Sequence, residues 1–336
     1  MNRYLRSGTL ALLMALAAFG GGAYLYWRWC VQPLPIAKAV DVEIAPGESL
    51  HQVAHVFADK DVLLHAWDLV AYARLHEASA GLRAGEYRIE PGTTVAGLLA
   101  LLRSGRVVLH SLTLVEGWNL KDTLAAVQGD PDLKHTLAGV SGRALVQQLG
   151  FDAASAEGML LPDTYQFPKG TSDAAFLHRA ALAAQQNLDA AWKNRTAGLP
   201  YKTPYEALIM ASIVEKETAQ PAERGLIAGV FVRRLEKGMK LQTDPTVIYG
   251  LGDAYDGLIT YKDLRTDTPY NTYTRYGLPP TPICMPSRAS IEAALHPTPG
   301  KALYFVARGD GTHEFSDTLV EQNAAVQKYQ IRRQQP

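Results

Sequence analysis

The segment Tyr205–Val214 constrains the fold more than any other feature of this sequence. It reads YEALIMASIV, contains neither proline nor glycine, and is apolar on almost every side of a helix. A helix that is apolar all round is buried by other elements, so the segment predicts the central helix of a folded domain. The chain has 336 residues, 47% of them hydrophobic, which is enough apolar material to surround such a helix.

The N-terminus carries a second apolar segment. Two arginines precede an uncharged stretch, Ser7–Trp27, and Arg28 closes it. This length can cross a bilayer as a helix. It predicts a transmembrane helix over residues 7–28, with residues 1–6 in the cytoplasm by the positive-inside rule and the rest of the chain outside. A cleaved signal peptide is the alternative.

A short pattern recurs in the first third of the chain. The runs IAPGESL and IEPGTTV each read as a strand end, a Pro-Gly turn, a hydroxyl suited to N-capping and a short amphipathic helix. The pattern predicts an α+β fold with a small α/β module over residues 40–108. A connecting helical region follows over 109–200, and a mixed α+β domain over 201–330. The module resembles LysM-type glycan-binding modules, mainly through PGESLHQVA; a packing module without a ligand is the alternative.

Charge and cysteine content exclude several classes of protein. The formal net charge is zero, which argues against nucleic acid as a partner, because that needs clustered lysine and arginine. Two cysteines form neither a disulfide framework nor a zinc ligand set. His51 and His55 are four residues apart, but HQVAH lacks the glutamate of the zinc hydrolase motif. We therefore predict no metal and no cofactor.

Glu215 directly follows the apolar helix, in the run EKET. Leu208 and Ala211 lie seven and four residues before it, so all three share a helix face. Burial there would raise the carboxyl pKa, as a general acid requires near neutral pH. The alternative is that Glu215 is simply the first polar residue after a core helix. Glu217 falls roughly on the opposite side and is expected to be solvated.

Two later loops are rich in polar and aromatic side chains. The first holds Gln242 and Asp244, and the second holds Asn271 and Tyr273. Amides can bond the hydroxyl and N-acetyl groups of a sugar, and aromatic rings can stack on its faces. Ordinary turn chemistry is the alternative reading, because the same residue types populate loops.

Several blocks, in order, resemble the signature of the endolytic murein transglycosylases, the YceG-like proteins. They are ASIVEKET, LQTDPTVIYG, YNTY, GLPP and LYFVARGDGTHEF. EGMLLPDTYQF and the N-terminal apolar segment are similar too. Four positions depart from the usual residues of that family, namely Arg233, Met285, Ser287 and Gln322.

The resemblance implies a reaction. The substrate would be the glycan strand of peptidoglycan, cut internally between MurNAc and GlcNAc to leave 1,6-anhydroMurNAc ends, which would limit the length of nascent strands. By matching SIVEKE, Glu215 takes the catalytic position, and Gln242, Asp244, Asn271 and Tyr273 are expected to bind substrate. The location would be the bacterial inner membrane with the bulk of the chain in the periplasm, where peptidoglycan synthases are possible partners.

The chemistry of such an enzyme needs only one carboxyl, because the C6 hydroxyl of the sugar replaces water as the nucleophile. Ordinary glycosidases use two carboxyls. Two other functions stay open at this point. One is a non-catalytic scaffold that holds peptidoglycan, and the other is a water-using muramidase with Asp244 or Glu217 as its second carboxylate.

Overall fold

The computed structural model describes residues 2–78, 80–137, 139–140, 142–150 and 155–331, with side chains from residue 13 onward except at 142, 143 and 331. The chain divides into two compact units. One comprises residues 1–110 with 168–170, and the other comprises 111–167 with 171–336.

The first unit builds its core between a two-stranded antiparallel sheet and short helices. Val40 pairs with Ile89, and the register continues to Ile44 opposite Gly85. Ser49 and Thr94 cap the two helices that follow the Pro-Gly turns, as the sequence predicts. Its elements are, in order, α1 (Asn2–Val31), β1 (Val40–Ile44), α2 (Leu50–Asp59), α3 (Ala66–Leu75), β2 (Gly85–Ile89) and α4 (Val95–Ser104).

The predicted membrane segment, residues 7–28, lies within α1, and its first six residues are among those whose side chains are not described. Within the described part of the chain, no helix is both long enough and apolar enough to cross a membrane. Several apolar side chains of α1 are exposed, among them Leu16, Phe19 and Leu25.

The second unit is mainly helical with three small pairs of strands. Its elements are β3 (Leu109–Thr113), α5 (Leu120–Gly129), β4 (Leu133–Lys134), α6 (Gly142–Gln148), β5 (Thr164–Pro168), β6 (Thr171–Ser172), α7 (Asp173–Lys193), α8 (Pro204–Glu217), α9 (Arg224–Glu236), α10 (Asp244–Leu251), α11 (Tyr261–Arg265), α12 (Arg288–Leu295), β7 (Tyr304–Ala307), β8 (His313–Ser316) and α13 (Leu319–Val326). Strand β3 pairs with β5, β4 runs parallel to β6, and β7 and β8 form an antiparallel hairpin.

The apolar segment forms the central helix of the second unit, α8. Thr203 caps its first turn through its side chain, and Pro204 occupies the first turn, where no amide hydrogen is needed. Every residue from Ala207 to Val214 is buried. Side chains of α9 and α12 complete this core. The predicted buried helix is therefore confirmed, and so is the mixed α+β class of the chain. The likeness of residues 40–108 to LysM modules stays a prediction.

Candidate active site

The last turn of α8 carries two carboxyls, Glu215 and Glu217, and each accepts hydrogen bonds from a different segment. Glu215 is partly buried. Its Oε2 accepts a hydrogen bond of 2.9 Å from the backbone N–H of Ser287 and one of 2.5 Å from the Ser287 hydroxyl. This serine is buried and is the N-cap of α12. Ser287 therefore fixes the position of this carboxyl oxygen.

Glu217 is also partly buried, and the expectation that it is solvated is wrong. Its Oε1 accepts a hydrogen bond from the hydroxyl of Thr243. Thr243 is the N-cap of α10, but its hydroxyl makes no capping bond and turns to Glu217 instead. Helix geometry places Glu217 on the side of α8 away from Glu215. It does not show that the loop before α10 covers that side.

Burial raises the pKa of Glu217 to about 7, and the negative charge of Asp244 adds to the rise. The hydrogen bond from Thr243 and the positive charges of His313 and Arg234 act in the opposite direction. Desolvation is the larger effect because it disfavours the charged form wherever water is excluded. Glu217 therefore has the raised carboxyl pKa that a general acid requires near neutral pH.

Most of the loop residues predicted to bind substrate lie around Glu217. The electrostatic influence of Asp244 and Arg234 on Glu217, and of Glu217 on Tyr273, places these groups near one another. We call this group the Glu217 cluster: Glu217, Arg234, Gln242, Thr243, Asp244 and Tyr273.

Gln242 is held in a left-handed backbone conformation, with φ of 51°. Such a conformation costs free energy in a residue other than glycine and persists only when neighbours enforce it. The guanidinium of Arg234 donates to the carbonyls of Lys240 and Leu241 and, at 3.4 Å, to Oε1 of Gln242. The Gln242 side chain itself is exposed, so its amide NH₂ can reach a ligand.

Asp244 and Tyr273 form a direct pair. The Tyr273 hydroxyl donates to Oδ1 of Asp244 over 2.6 Å, and Asp244 is exposed. Burial is the main cause that raises the pKa of Tyr273, and the Asp244 carboxylate adds to it. The tyrosine therefore keeps its proton and orients the carboxylate at the edge of the cluster.

Asn271 has a different surrounding from the other predicted binding residues. It is buried, and its Nδ2 donates to the carbonyls of Asp263, Leu264 and Thr266, the last at 2.7 Å. Its Oδ1 accepts from the backbone N–H of Tyr273 at 2.8 Å. The hydrogen bonds of this amide therefore connect the end of α11 to the loop that holds Tyr273. It positions Tyr273 rather than offering groups to a sugar.

His313, within the RGDGTHEF run, pairs with Glu223. Its Nδ1 lies 2.7 Å from Oε2 of that carboxylate, and its backbone N–H donates to Oε1 at 2.9 Å. Both side chains are 12% exposed. The pair fixes the start of β8 against the turn before α9. Where side chains are described, no group of three or more His, Cys, Asp or Glu residues is arranged to hold a metal ion.

Two members of the Glu217 cluster, Thr243 and Arg234, were not among the predicted site residues. The sequence signal for Thr243 was present, because it sits inside LQTDPTV, but a threonine in a loop carries little information by itself. The burial of Arg234 could not be predicted, because an arginine in an amphipathic helix is usually at the surface.

Comparison with known proteins assigns the class of this fold and site. The family model described as the YceG-like family matches residues 42–328. The endolytic murein transglycosylase of Bacillus subtilis (strain 168) is 31% identical over 92% of this chain and 90% of its own length. That of Streptococcus pneumoniae serotype 2 is 28% identical over 90% of this chain and 61% of its own.

A solved structure agrees with these relatives. The 2.6 Å crystal structure of a yceG-like protein from Listeria monocytogenes superposes with a TM-score of 0.52 at 32% identity, covering 85% of this chain and 99% of that one. The chain belongs to the YceG-like family. The predicted family and the predicted enzyme class, a murein transglycosylase, are confirmed by the relatives.

Proposed function

We propose that this enzyme cuts peptidoglycan glycan strands internally, between MurNAc and GlcNAc, and leaves 1,6-anhydroMurNAc ends. The single observation that carries the proposal is the Glu217 cluster, in which one carboxyl with a pKa of about 7 lies close to the exposed residues Gln242 and Asp244. Such a carboxyl is protonated often enough near neutral pH to act as an acid and is a usable base once it has lost the proton.

The sequence predicts Glu215 as the acid, whereas the contacts of the two carboxyls favour Glu217. Glu215 has its Oε2 bound by both donors of Ser287. Glu217 has the raised pKa and has Asp244 and Tyr273 close by. Two carboxyls with different surroundings commonly take different roles in one site. We therefore propose Glu217 as the proton donor.

The reaction needs no water. Glu217 transfers its proton to the glycosidic oxygen as the bond from that oxygen to C1 of MurNAc breaks, and the departing GlcNAc end gains a hydroxyl. The C6 hydroxyl of the same MurNAc then attacks C1 and returns its proton to the Glu217 carboxylate. An internal nucleophile gains from its high effective concentration. The proposed strand contacts are Gln242, Asp244 and Tyr273, the exposed or partly exposed members of the cluster.

Glu217→Gln and Glu215→Gln are the decisive pair of variants. Each should fold, because the amide keeps the shape and an oxygen acceptor. On purified peptidoglycan glycan strands, we expect the Glu217 variant to produce no anhydro-ended fragments and the Glu215 variant to keep most of the activity. Activity lost only in the Glu215 variant would return the acid to Glu215.

Mass spectrometry of the products separates the remaining functions. Anhydro ends indicate a transglycosylase. Reducing ends would indicate a muramidase, which needs a second carboxylate such as Asp244. Retention of strands without new ends would indicate a peptidoglycan-binding scaffold.

For location, we propose a single-pass anchor over residues 7–28 in the bacterial inner membrane, with the bulk of the chain periplasmic. The uncharged run and the exposed apolar side chains at Leu16, Phe19 and Leu25 support it. There the enzyme would limit the length of nascent strands beside peptidoglycan synthases. Alkaline extraction of membranes tests the anchor: an embedded chain stays with the pellet, and a peripheral one is released.

A further inference from the structure

A short segment, Ile283–Ser287, runs beside α8 and is bound to it at two levels one helical turn apart. At the first level, the hydroxyl of Ser212 accepts from the backbone N–H of Ile283 at 3.0 Å, and the Cys284 thiol donates to the Ser212 carbonyl. At the second level, Ser287 donates both its hydrogens to Glu215. We call this segment the α8 strap.

The strap is itself held on its other side. The backbone N–H of Met285 donates to the Trp118 carbonyl at 2.7 Å, and the N–H of Gly117 donates to the Met285 carbonyl at 2.9 Å. Lys216, the residue between the two carboxyls, also donates to the carbonyl of Gly117, at 3.3 Å. The turn at Gly117 and Trp118 therefore holds the strap in place.

The other hydrogen bond of the Ser287 hydroxyl determines that this group donates to Glu215. The Ser287 hydroxyl oxygen accepts from the backbone N–H of Ser290 at 3.2 Å, in the usual role of an N-cap. Its own hydrogen is then free to point at Glu215. One buried serine thus joins the start of α12 to the end of α8.

The end of α8 needs such a contact. The last four carbonyls of a helix have no partner within the helix, so its terminal turn is held less firmly than its middle, and a side-chain contact there can fix its position. Glu217 is the final residue of α8. A small rotation of that turn would move its carboxyl away from the glycosidic oxygen, and a displacement of about 1 Å can cost roughly a hundredfold in rate.

We propose that Glu215 is a positioning residue: through its two hydrogen bonds to Ser287, it fixes the last turn of α8 and so sets the direction of Glu217. This inference rests on the proposed function for its catalytic consequence. The structural part, a last turn stabilised by the strap, stands independently of it.

The test uses Ser287→Ala with a matched control, Ser290→Ala. Both serines are buried in the first turns of the same helix, but the Ser290 hydroxyl has no hydrogen-bond partner among the described residues. On purified glycan strands, we expect kcat to fall about tenfold in the Ser287 variant with KM unchanged, which is the signature of lost positioning. Ser287→Thr, which keeps the hydroxyl, should restore kcat, and Ser290→Ala should match the wild-type enzyme.

A double-mutant cycle isolates the contact. Glu215→Ala and Ser287→Ala should each lower kcat, and the combined variant should lose little more than either single one, because both remove the same contact. Losses that multiply would overturn the inference. So would a Ser287→Ala enzyme with the kcat of the Ser290 control at equal folded fraction.

Amide hydrogen exchange gives a reading that does not depend on activity. In Ser287→Ala, the amides of residues 214–218 should exchange several-fold faster than in Ser290→Ala. Equal rates overturn the inference even where cleavage is seen. The wild-type enzyme could make no new strand ends while amide exchange in Ser287→Ala still increases as expected. In that case the proposed function fails, and the role of the strap in fixing the last turn of α8 is retained.

Discussion

Glu215 and Glu217 end the same helix, yet the first accepts its hydrogen bonds from Ser287 and the second from Thr243. The two partners belong to segments that are 44 residues apart in the sequence. The two carboxyls therefore have different hydrogen-bond partners although they lie two residues apart. As a result, Ser287 holds the Glu215 carboxyl in place, and the Glu217 carboxyl has a pKa of about 7.

The pH dependence of the reaction should follow Glu217. The acid must be protonated when the strand binds, so kcat/KM should be constant below about pH 7 and decrease as the pH rises through about 7. A pH–rate profile on purified glycan strands measures this. A profile that rises through the same range would contradict a proton-donating Glu217.

Tyr273→Phe should weaken catalysis with little effect on stability. It removes the hydroxyl that donates to Asp244 over 2.6 Å and leaves the ring in place. We expect kcat/KM to fall by about three- to tenfold, in line with the loss of about 1 kcal/mol from one such hydrogen bond. Tyr261→Phe is the matched control, because Tyr261 is 81% exposed. Equal activity of both variants would remove Tyr273 from the site.

Asn271→Ala should mainly destabilise the fold. It leaves three carbonyls and one backbone N–H without the partners that the buried amide supplies. We expect a loss of about 2–4 kcal/mol in the free energy of unfolding, measured by urea denaturation. Asn194→Ala is the control, since that exposed amide makes one hydrogen bond, to the carbonyl of Ala190. A loss of activity without loss of stability would instead indicate direct substrate contact.

Glu157 should make stability depend on pH. Burial raises its pKa from 4.5 to about 7, although Leu120 and Tyr249 donate hydrogen bonds to it. A carboxyl whose pKa is raised by folding contributes fully below its unfolded value, and the contribution declines as the pH rises from about 4.5 to about 7.

Glu157→Gln should therefore flatten the decline in unfolding free energy across that range, because the amide does not titrate and its oxygen can still accept from Tyr249. Urea denaturation at several pH values measures the slope. Glu116→Gln, at an exposed position, should leave the slope as in the wild-type protein. An unchanged slope in the Glu157 variant would show that this carboxyl does not titrate differently in the folded state.

Local features of the fold, such as helix starts, were predictable because they depend on residues close together in the sequence. Thr203 and Pro204 mark the start of α8, and the Pro-Gly turns with Ser49 and Thr94 mark two further helix starts. Each signal acts within four residues, so no knowledge of packing is needed. The membrane span and the LysM-like character of the first module stay predictions.

The site was only partly predictable from the sequence. Gln242, Asp244 and Tyr273 lie around Glu217, and their role in binding substrate stays a prediction, whereas Glu217 was wrongly expected to face solvent. Helix geometry gives the angle between Glu215 and Glu217 and does not give what lies on either side. Asn271 shows the same limit, because its residue type suits a ligand contact and an internal one equally well.

The sequence by itself determined that α8 is buried, that a pair of carboxyls ends it, and which family the chain belongs to. These follow from residue type, from spacing along a helix, and from order along the chain. Only the tertiary structure decided which carboxyl Thr243 covers and which one Ser287 holds. The physical reason is that desolvation and hydrogen bonding depend on neighbours brought in from segments 26 and 72 residues away, and no local pattern encodes those neighbours.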